Sequence, residues 1–154
     1  MKIAICASMV FTEKMLEIKK ELEKLGHSAV VSSFAPAYID KSTKEKEKLT
    51  VYHKNEKDAI REFYKEIKKS DAILVLNYDR RGIKNYIGGN TLMEIGFAHI
   101  LYKKIFLLNP IPKIEYYKSE IEAVKPVIIN SDLSKIKCGH LKTVIPSVSE
   151  ESLS

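Results

Sequence analysis

Two segments of the sequence decide the fold: DAILVLN at residues 71–77 and NTLMEIGFAHILYKKIFLLNP at residues 90–110. The first is a short, continuous apolar run, which is typical of a strand that is buried on both faces. The second begins with a helical segment and ends in another apolar run at residues 104–110. A strand, a helix and a strand in this order predict two parallel strands joined by a crossover helix.

The same alternation extends along the chain in both directions. Further strands are predicted at residues 2–7, 27–33 and 126–130, and further helices at residues 12–25, at residues 55–69 with Asn55 as cap, and near Ile121. Five apolar strands separated by helices predict an α/β fold. We expect a doubly wound, five-stranded parallel sheet of flavodoxin-like or Rossmann-like type, with helices on both faces.

The domain organisation follows from the remaining segments. Residues 34–54 contain Pro36 and a run of mixed charges, and we predict an irregular segment there of the kind that forms lids or binding loops. Residues 1–136 are predicted to form a single domain, since no linker or repeat divides them. Residues 137–154 are polar and weakly patterned, and we expect them to form a loosely ordered tail.

Composition narrows the class of partner. The net charge is +6, but the lysines alternate with glutamates, as in KSTKEKEK at residues 41–48, which is typical of a solvated surface. We therefore expect no specific nucleic-acid partner, whereas a small phosphate-bearing ligand suits the positive excess. No apolar run approaches the roughly 18 residues of a membrane span, so we expect a cytoplasmic protein without a membrane partner.

The cysteines and histidines form no metal-binding pattern. Cys6 and Cys138 lie far apart, and the four histidines have no ligand spacing, so we expect no metal site. Cys6 falls in the first predicted strand, which favours a buried structural thiol in a reducing compartment. His99 lies in the apolar helix and is predicted to be a core histidine.

Candidate binding residues follow from the predicted topology, because doubly wound sheets bind ligands at the carboxyl ends of their strands. The loops at that edge contain Ser8, Met9, Asn77, Gly88, Gly89, Asn90 and Asn109. Ser8 and the neighbouring amides could form an anion site, and adjacent glycines let a backbone approach a ligand. Arg80 and Arg81 could hold a phosphate. Polar turns and solvated loop residues are the alternatives.

Glu94 is the only carboxylate in the apolar helix, for which Asn90 is a suitable N-cap. A helix that is apolar on all sides is predicted to be buried, and a carboxylate within it needs a partner or a cavity. The helix N-terminus favours the ionised form. An ionised carboxylate in a cleft is what a nucleophile at a sugar carbon requires, although an acidic residue can also serve the helix dipole alone.

A family resemblance is carried by SDAILVLN at residues 70–77, GGNTLMEIGFAHILYKKIFLL at residues 88–108 and KIAICASM at residues 2–9. These segments resemble the nucleoside 2-deoxyribosyltransferase superfamily, which includes 2′-deoxynucleoside 5′-phosphate N-hydrolases, and the resemblance spans residues 1–110. It implies that Glu94 attacks C1′ of a (deoxy)ribose and releases the base, without metal or organic cofactor. It also implies that Ser8 meets the 5′-phosphate, that residues 88–90 line the pocket, and that the protein forms a homodimer or higher homo-oligomer.

The sequence departs from this family where an acid is expected. Gly88 stands where the family has Asp or Ser, and Phe63 stands where it has a helical Asp. Asn90, Asp58, Glu62 and Tyr64 are the candidates to replace these groups. A non-catalytic nucleotide-binding module is therefore the alternative function, and a basic interaction protein acting through residues 41–48 is a third.

Overall fold

The computed structural model describes residues 1–137, and five parallel strands form its single sheet. The strands are β1 (Lys2–Cys6), β2 (Ser28–Val30), β3 (Ala72–Val75), β4 (Lys104–Leu107) and β5 (Val127–Ile128), and their order is β2-β1-β3-β4-β5. The predicted doubly wound, flavodoxin-like sheet is therefore confirmed. Of the predicted tail at residues 137–154, all but the first residue lies outside the described part of the chain.

Five helices connect or follow these strands within residues 1–137. They are α1 (Thr12–Lys24), α2 (Thr43–Glu56), α3 (Ala59–Lys69), α4 (Gly89–Ile100) and α5 (Lys118–Ala123), with short 3₁₀ helices at Met9–Phe11, Ala35–Tyr38 and Leu133–Lys135. None of these helices is long and apolar enough to cross a membrane.

Alternate residues of each central strand face two separate cores. On β1, Ile3 and Ile5 pack in one core with Met15 of α1, while Ala4 and Cys6 pack in the other with side chains of α3 and α4. Helices therefore cover both faces, because a parallel sheet must bury both sides of its apolar strands. Cys6 is a buried free thiol, as predicted.

The prediction of an irregular segment at residues 34–54 is wrong, because α2 occupies most of its length. The helix begins with a capping box: Ser42 Oγ accepts from the Glu45 backbone amide, and Glu45 accepts from that of Ser42. Lysine and glutamate are also good helix formers. The predicted cap at Asn55 is wrong too, since Asn55 lies inside α2 and α3 begins after Asp58.

Helix α2 is fixed above the carboxyl edge of the sheet by a buried cation. Lys46 is only 6% exposed, and its ammonium forms an ion pair with Glu13 of α1 and donates to the Val10 carbonyl at 3.4 Å. The hydrogen bond from Lys46 lowers the pKa of the Glu13 carboxyl. The segment that was predicted to be irregular thus contains an ordered helix over the carboxyl edge of the sheet.

Helix α4 is buried on one side only, so the prediction of a helix buried on all sides is wrong. Met93 and Ile100 are 44% and 75% exposed, and the predicted core histidine His99 is exposed as well. The helix starts at Gly89 with Gly88 as N-cap, so Asn90 is not the cap. The physical reason is that α4 lies on the outer layer of the domain, where only the sides that face the sheet and α3 are covered.

Candidate functional site

Two adjoining cavities lie at the carboxyl ends of β1 and β3, beneath α2. Including the solvent at their mouths, the first spans about 460 Å³ and the second about 840 Å³. Both are lined by Ala7, Thr50, Lys54 and Asn90, so they share a boundary. The position agrees with the general rule that doubly wound sheets bind ligands at this edge.

The first cavity is mainly apolar, with a few polar groups directed into it. Its apolar walls include Ile5 of β1, Met15 of α1 and Phe63 of α3. The predicted site residues Met9, Asn90 and Glu94 line it, and so do Tyr38 and His53. A small apolar pocket with a few converging polar groups is the usual form of a small-molecule site.

Glu94 is the sixth residue of α4 and is only 6% exposed. Burial raises the pKa of its carboxyl to about 8, and the neighbouring Cys6 thiol opposes this rise to a smaller extent. Burial therefore favours the protonated carboxyl near neutral pH, whereas the position in the helix led us to expect the ionised form. The helix dipole acts mainly within the first turn, so desolvation dominates at this position.

Asn90 connects Glu94 to the shared boundary of the cavities. Its Nδ2 lies 3.5 Å from Glu94 Oε2, a weak hydrogen bond, and its Oδ1 is buried without any hydrogen-bond partner in the described chain. An unsatisfied buried acceptor costs about 1–3 kcal/mol, so such groups in native proteins call for an explanation. A hydrogen-bond donor on a ligand in the cavity would satisfy it.

Sequence reasoning missed the pair formed by Tyr38 and His53. The Tyr38 hydroxyl lies 2.8 Å from His53 Nδ1, and the His53 ring stacks on Phe34 with centroids 4.4 Å apart. Burial lowers the pKa of His53 and raises that of Tyr38. The capping sequence STKE at residues 42–45 would have indicated α2, and the i, i+4, i+7 spacing of Lys46, Thr50 and His53 would have indicated its inner face.

The second cavity brings together groups that suit an anion. Arg80 donates to Ser8 Oγ at 3.0 Å, and Arg80 and Arg81 both form ion pairs with Glu47 of α2. The first turn of α4 also lines this cavity, and no side chain caps its amides. Guanidinium groups and free helix amides are both common phosphate ligands. The predicted residues Ser8, Gly88, Gly89 and Asn90 therefore lie together.

Tyr86 fills the space beside Gly88. A Cβ added to Gly88 would lie 3.1 Å from Tyr86 Cε1 and from its hydroxyl oxygen, whereas a Cβ on Gly89 would meet nothing within 4 Å. Neither glycine has a positive φ, so neither is required by the backbone conformation. Gly88 makes room for the tyrosine ring, and Gly89 leaves the cavity open.

Asn77 and Asn109 are not brought to the cavities. Asn77 is fully buried, and its Nδ2 donates to the carbonyls of Asn109 and Pro110 at 2.9 and 3.1 Å. Its Oδ1 accepts from the Asn109 amide at 2.9 Å, and Asn109 Nδ2 donates back to the Asn77 carbonyl. These bonds join the ends of β3 and β4, which is a structural role.

Four residues were candidates to act in place of the acids missing at Gly88 and Phe63, and of these only Asn90 lines the cavities. Asp58 pairs with Arg61 at 2.6 Å, Glu62 pairs with Lys65 at 3.3 Å, and the Tyr64 ring packs against Phe97. None of Asp58, Glu62 and Tyr64 lines either cavity.

Neither a metal site nor a similarity to a known protein identifies the function of the two cavities. Within residues 1–137, no three His, Cys, Asp or Glu side chains are grouped so that they could hold a metal ion. The chain matches no model of a known protein family and no curated protein.

Proposed function

We propose that the protein cleaves or exchanges the N-glycosidic bond of a nucleoside or nucleoside 5′-monophosphate, with Glu94 as the nucleophile. One observation carries the proposal: a buried carboxyl lines an apolar cavity that shares a boundary with a cavity lined by Arg80, Ser8 and the first turn of α4. The resemblance of residues 1–110 to the nucleoside 2-deoxyribosyltransferase superfamily supports the same chemistry.

The two cavities suit the parts of such a substrate. In this proposal a planar base lies among Met15, Phe34 and Phe63, while a 5′-phosphate contacts the arginines and helix amides of the second cavity. The sugar would then lie at the shared boundary, beside Asn90. This is also where Glu94 can approach C1′, and the unpaired Asn90 Oδ1 can accept from a sugar hydroxyl or a base amine.

The proposed reaction needs the ionised form of Glu94. A carboxylate oxygen bonds to C1′ as the C1′–N bond breaks and its electron pair leaves with the base. Water or a second base then attacks C1′ and releases the glycosyl group from Glu94. Because burial raises the pKa of Glu94 to about 8, the ionised carboxylate is the less populated form at pH 7.

Two further expectations belong to this proposal. A homodimer or higher homo-oligomer would cover the exposed Met93 and Ile100 of α4 with a second copy, and sedimentation equilibrium tests it. A cytoplasmic location agrees with the free buried thiol of Cys6, which is typical of a reducing compartment. The carboxylate supplies the covalent chemistry, so the proposal includes no metal or organic cofactor.

The test is base release from a panel of nucleosides, deoxynucleosides and their 5′-monophosphates, with and without a second free base. Glu94→Gln should abolish release, while the matched variant Glu120→Gln, at an exposed position on α5, should behave as wild type. Exchange that requires the added base would identify a transferase. Turnover that survives in Glu94→Gln would contradict the mechanism.

A non-catalytic nucleotide-binding module is the second candidate function. Gly88 and Phe63 at the two acid positions favour it, and so does the protonated resting state of Glu94. Saturable binding of a nucleotide by calorimetry, with no base release from any member of the panel, would establish this alternative.

A further inference from the structure

The proposed reaction requires a group that protonates the departing base. Within the described chain, the titratable side chains that line the first cavity are Tyr38, His53, Lys54 and Glu94. Glu94 is the proposed nucleophile, so the proton donor must come from the other three if the enzyme supplies it.

Tyr38 and Lys54 are less suitable than His53 as the proton donor. Tyr38 is only 1% exposed, its hydroxyl is bonded to His53, and burial raises its pKa further, which makes the phenol a weaker acid. Lys54 lines both cavities and so borders the polar one, where its charge suits an anion.

His53 is held in a fixed orientation with one nitrogen free. Tyr38 engages Nδ1 at 2.8 Å, and Phe34 stacks on the ring at an interplanar angle of 20°. In residues 1–137 no hydrogen bond is formed by Nε2, although the residue is only 8% exposed and lines the cavity. A histidine oriented by a hydrogen bond at one nitrogen and free at the other is the usual arrangement of a general acid or base.

We propose that His53 is the general acid of the glycosidic cleavage, with Tyr38 as its positioning residue. The inference rests on the proposed function. In the step, a Glu94 carboxylate oxygen bonds to C1′, and the C1′–N bond breaks. The electron pair of that bond goes to the base nitrogen, and the base takes the proton of His53 Nε2. The imidazolium becomes neutral imidazole, and the total charge is conserved.

The protonation states allow this step without a net proton from solvent. Burial raises the pKa of Glu94 to about 8 and, together with the charge of Lys57, lowers that of His53, so near pH 7 the resting pair carries one proton, on Glu94. The reactive form has the same proton on His53 instead. Activity should therefore follow the singly protonated pair, and fall both below the pKa of His53 and above about pH 8.

Other charged and titratable groups face this pair. The Cys6 thiol of β1 meets Glu94, and burial raises its pKa, so it stays protonated over the same range. Lys54 lines the cavity, Lys57 disfavours the imidazolium, and Tyr38 meets Nδ1 from Ala35–Tyr38. A bound anion in the second cavity would oppose the lysine charges.

A leaving-group comparison distinguishes a general acid from a structural residue. The two substrates are a 2′-deoxynucleoside 5′-monophosphate and the 5′-phosphate of p-nitrophenyl 2-deoxyriboside, whose nitrophenolate leaves without a proton. His53→Gln should lower kcat/KM for the nucleotide by about 100-fold or more and change it little for the nitrophenyl substrate. Tyr38→Phe should show the same selectivity with a smaller loss. His99→Gln, at an exposed position on α4, is the matched control and should change neither rate.

The pH profile is the second readout. Wild type should give a bell-shaped profile, whereas His53→Gln should keep only a rate that rises with pH through the pKa of Glu94. Equal losses on both substrates in His53→Gln would overturn the general-acid role and leave Glu94 as nucleophile. If Glu94→Gln still cleaves either substrate, or wild type cleaves neither, then the proposed function itself fails.

Discussion

Glu47 joins two arginines through a single oxygen: its Oε2 lies 2.6 Å from Arg80 Nη2 and 2.8 Å from Arg81 Nη2. These ion pairs connect α2 to the loop that follows β3, across the second cavity. They also use guanidinium donors that would otherwise be available to an anion. The carboxylate therefore competes with any phosphate for this site.

Replacement of Glu47 by Gln should strengthen anion binding. The arginines would keep their charge and lose their internal partner, so affinity for inorganic phosphate should rise by about tenfold, equivalent to about 1.4 kcal/mol. Isothermal titration calorimetry with phosphate measures it. The matched control is Glu45→Gln, which removes a carboxylate on the same helix at the cap. Unchanged or weaker binding in Glu47→Gln would show that the arginines do not form the anion site.

The Glu94 carboxyl should make stability depend on pH. Burial raises its pKa from 4.5 to about 8 in the folded protein. The carboxyl therefore contributes fully to the free energy of unfolding below pH 4.5, and this contribution is lost as the pH rises through about 8. Glu94→Gln keeps the shape and cannot ionise. Relative to wild type, it should have similar stability near pH 5 and a free energy of unfolding greater by roughly 4 kcal/mol at about pH 9.

Urea unfolding at several pH values measures how the Glu94 carboxyl changes the free energy of unfolding. Glu120→Gln is the exposed control and should show no such pH-dependent difference. A constant difference between Glu94→Gln and wild type across this range would mean that the carboxyl titrates normally in the folded protein.

Gly88 and Gly89 should respond oppositely to alanine. A Cβ at Gly88 meets the Tyr86 ring at 3.1 Å and removes a glycine from the N-cap, while a Cβ at Gly89 meets open space. We expect Gly88→Ala to destabilise the protein by about 1–2 kcal/mol and Gly89→Ala to be neutral or stabilising by up to about 1 kcal/mol. Thermal unfolding compares the stabilities of the two variants. In a Tyr86→Ala background, Gly88→Ala should be less destabilising, because the crowding ring is absent. Equal effects of the two alanines would refute the crowding by Tyr86.

Loss of the N-cap at Ser42 should destabilise α2, the helix above the two cavities. The Ser42 hydroxyl accepts from the Glu45 amide at 3.1 Å, so Ser42→Ala should cost α2 about 1 kcal/mol. Hydrogen exchange should be about fivefold faster for amides of α2 and unchanged in α1. Ser119→Ala, at an exposed position of α5, is the control. Exchange in α2 equal to wild type would indicate that Lys46 alone holds the helix.

Much of the fold could be predicted from the sequence because apolar periodicity is local. The runs at residues 71–77 and 104–110 predicted β3 and β4, and their alternation with helices predicted the parallel sheet and its ligand edge. That topology was enough to place Ser8, residues 88–90 and Glu94 near one another. Helix α2 was missed because its charged composition was taken for a loop, although its capping box was present in the sequence.

The sequence alone determined the sheet and which residues follow its strands, since both depend on neighbours along the chain. Only the tertiary structure decided the rest. It placed Tyr38, Glu47 and His53 above the sheet edge, and it engaged Asn77 and Asn109 with each other instead of the cavity. It also set the protonation of Glu94. That property depends on how much water the surrounding elements remove from one carboxyl, and no spacing along the chain records it.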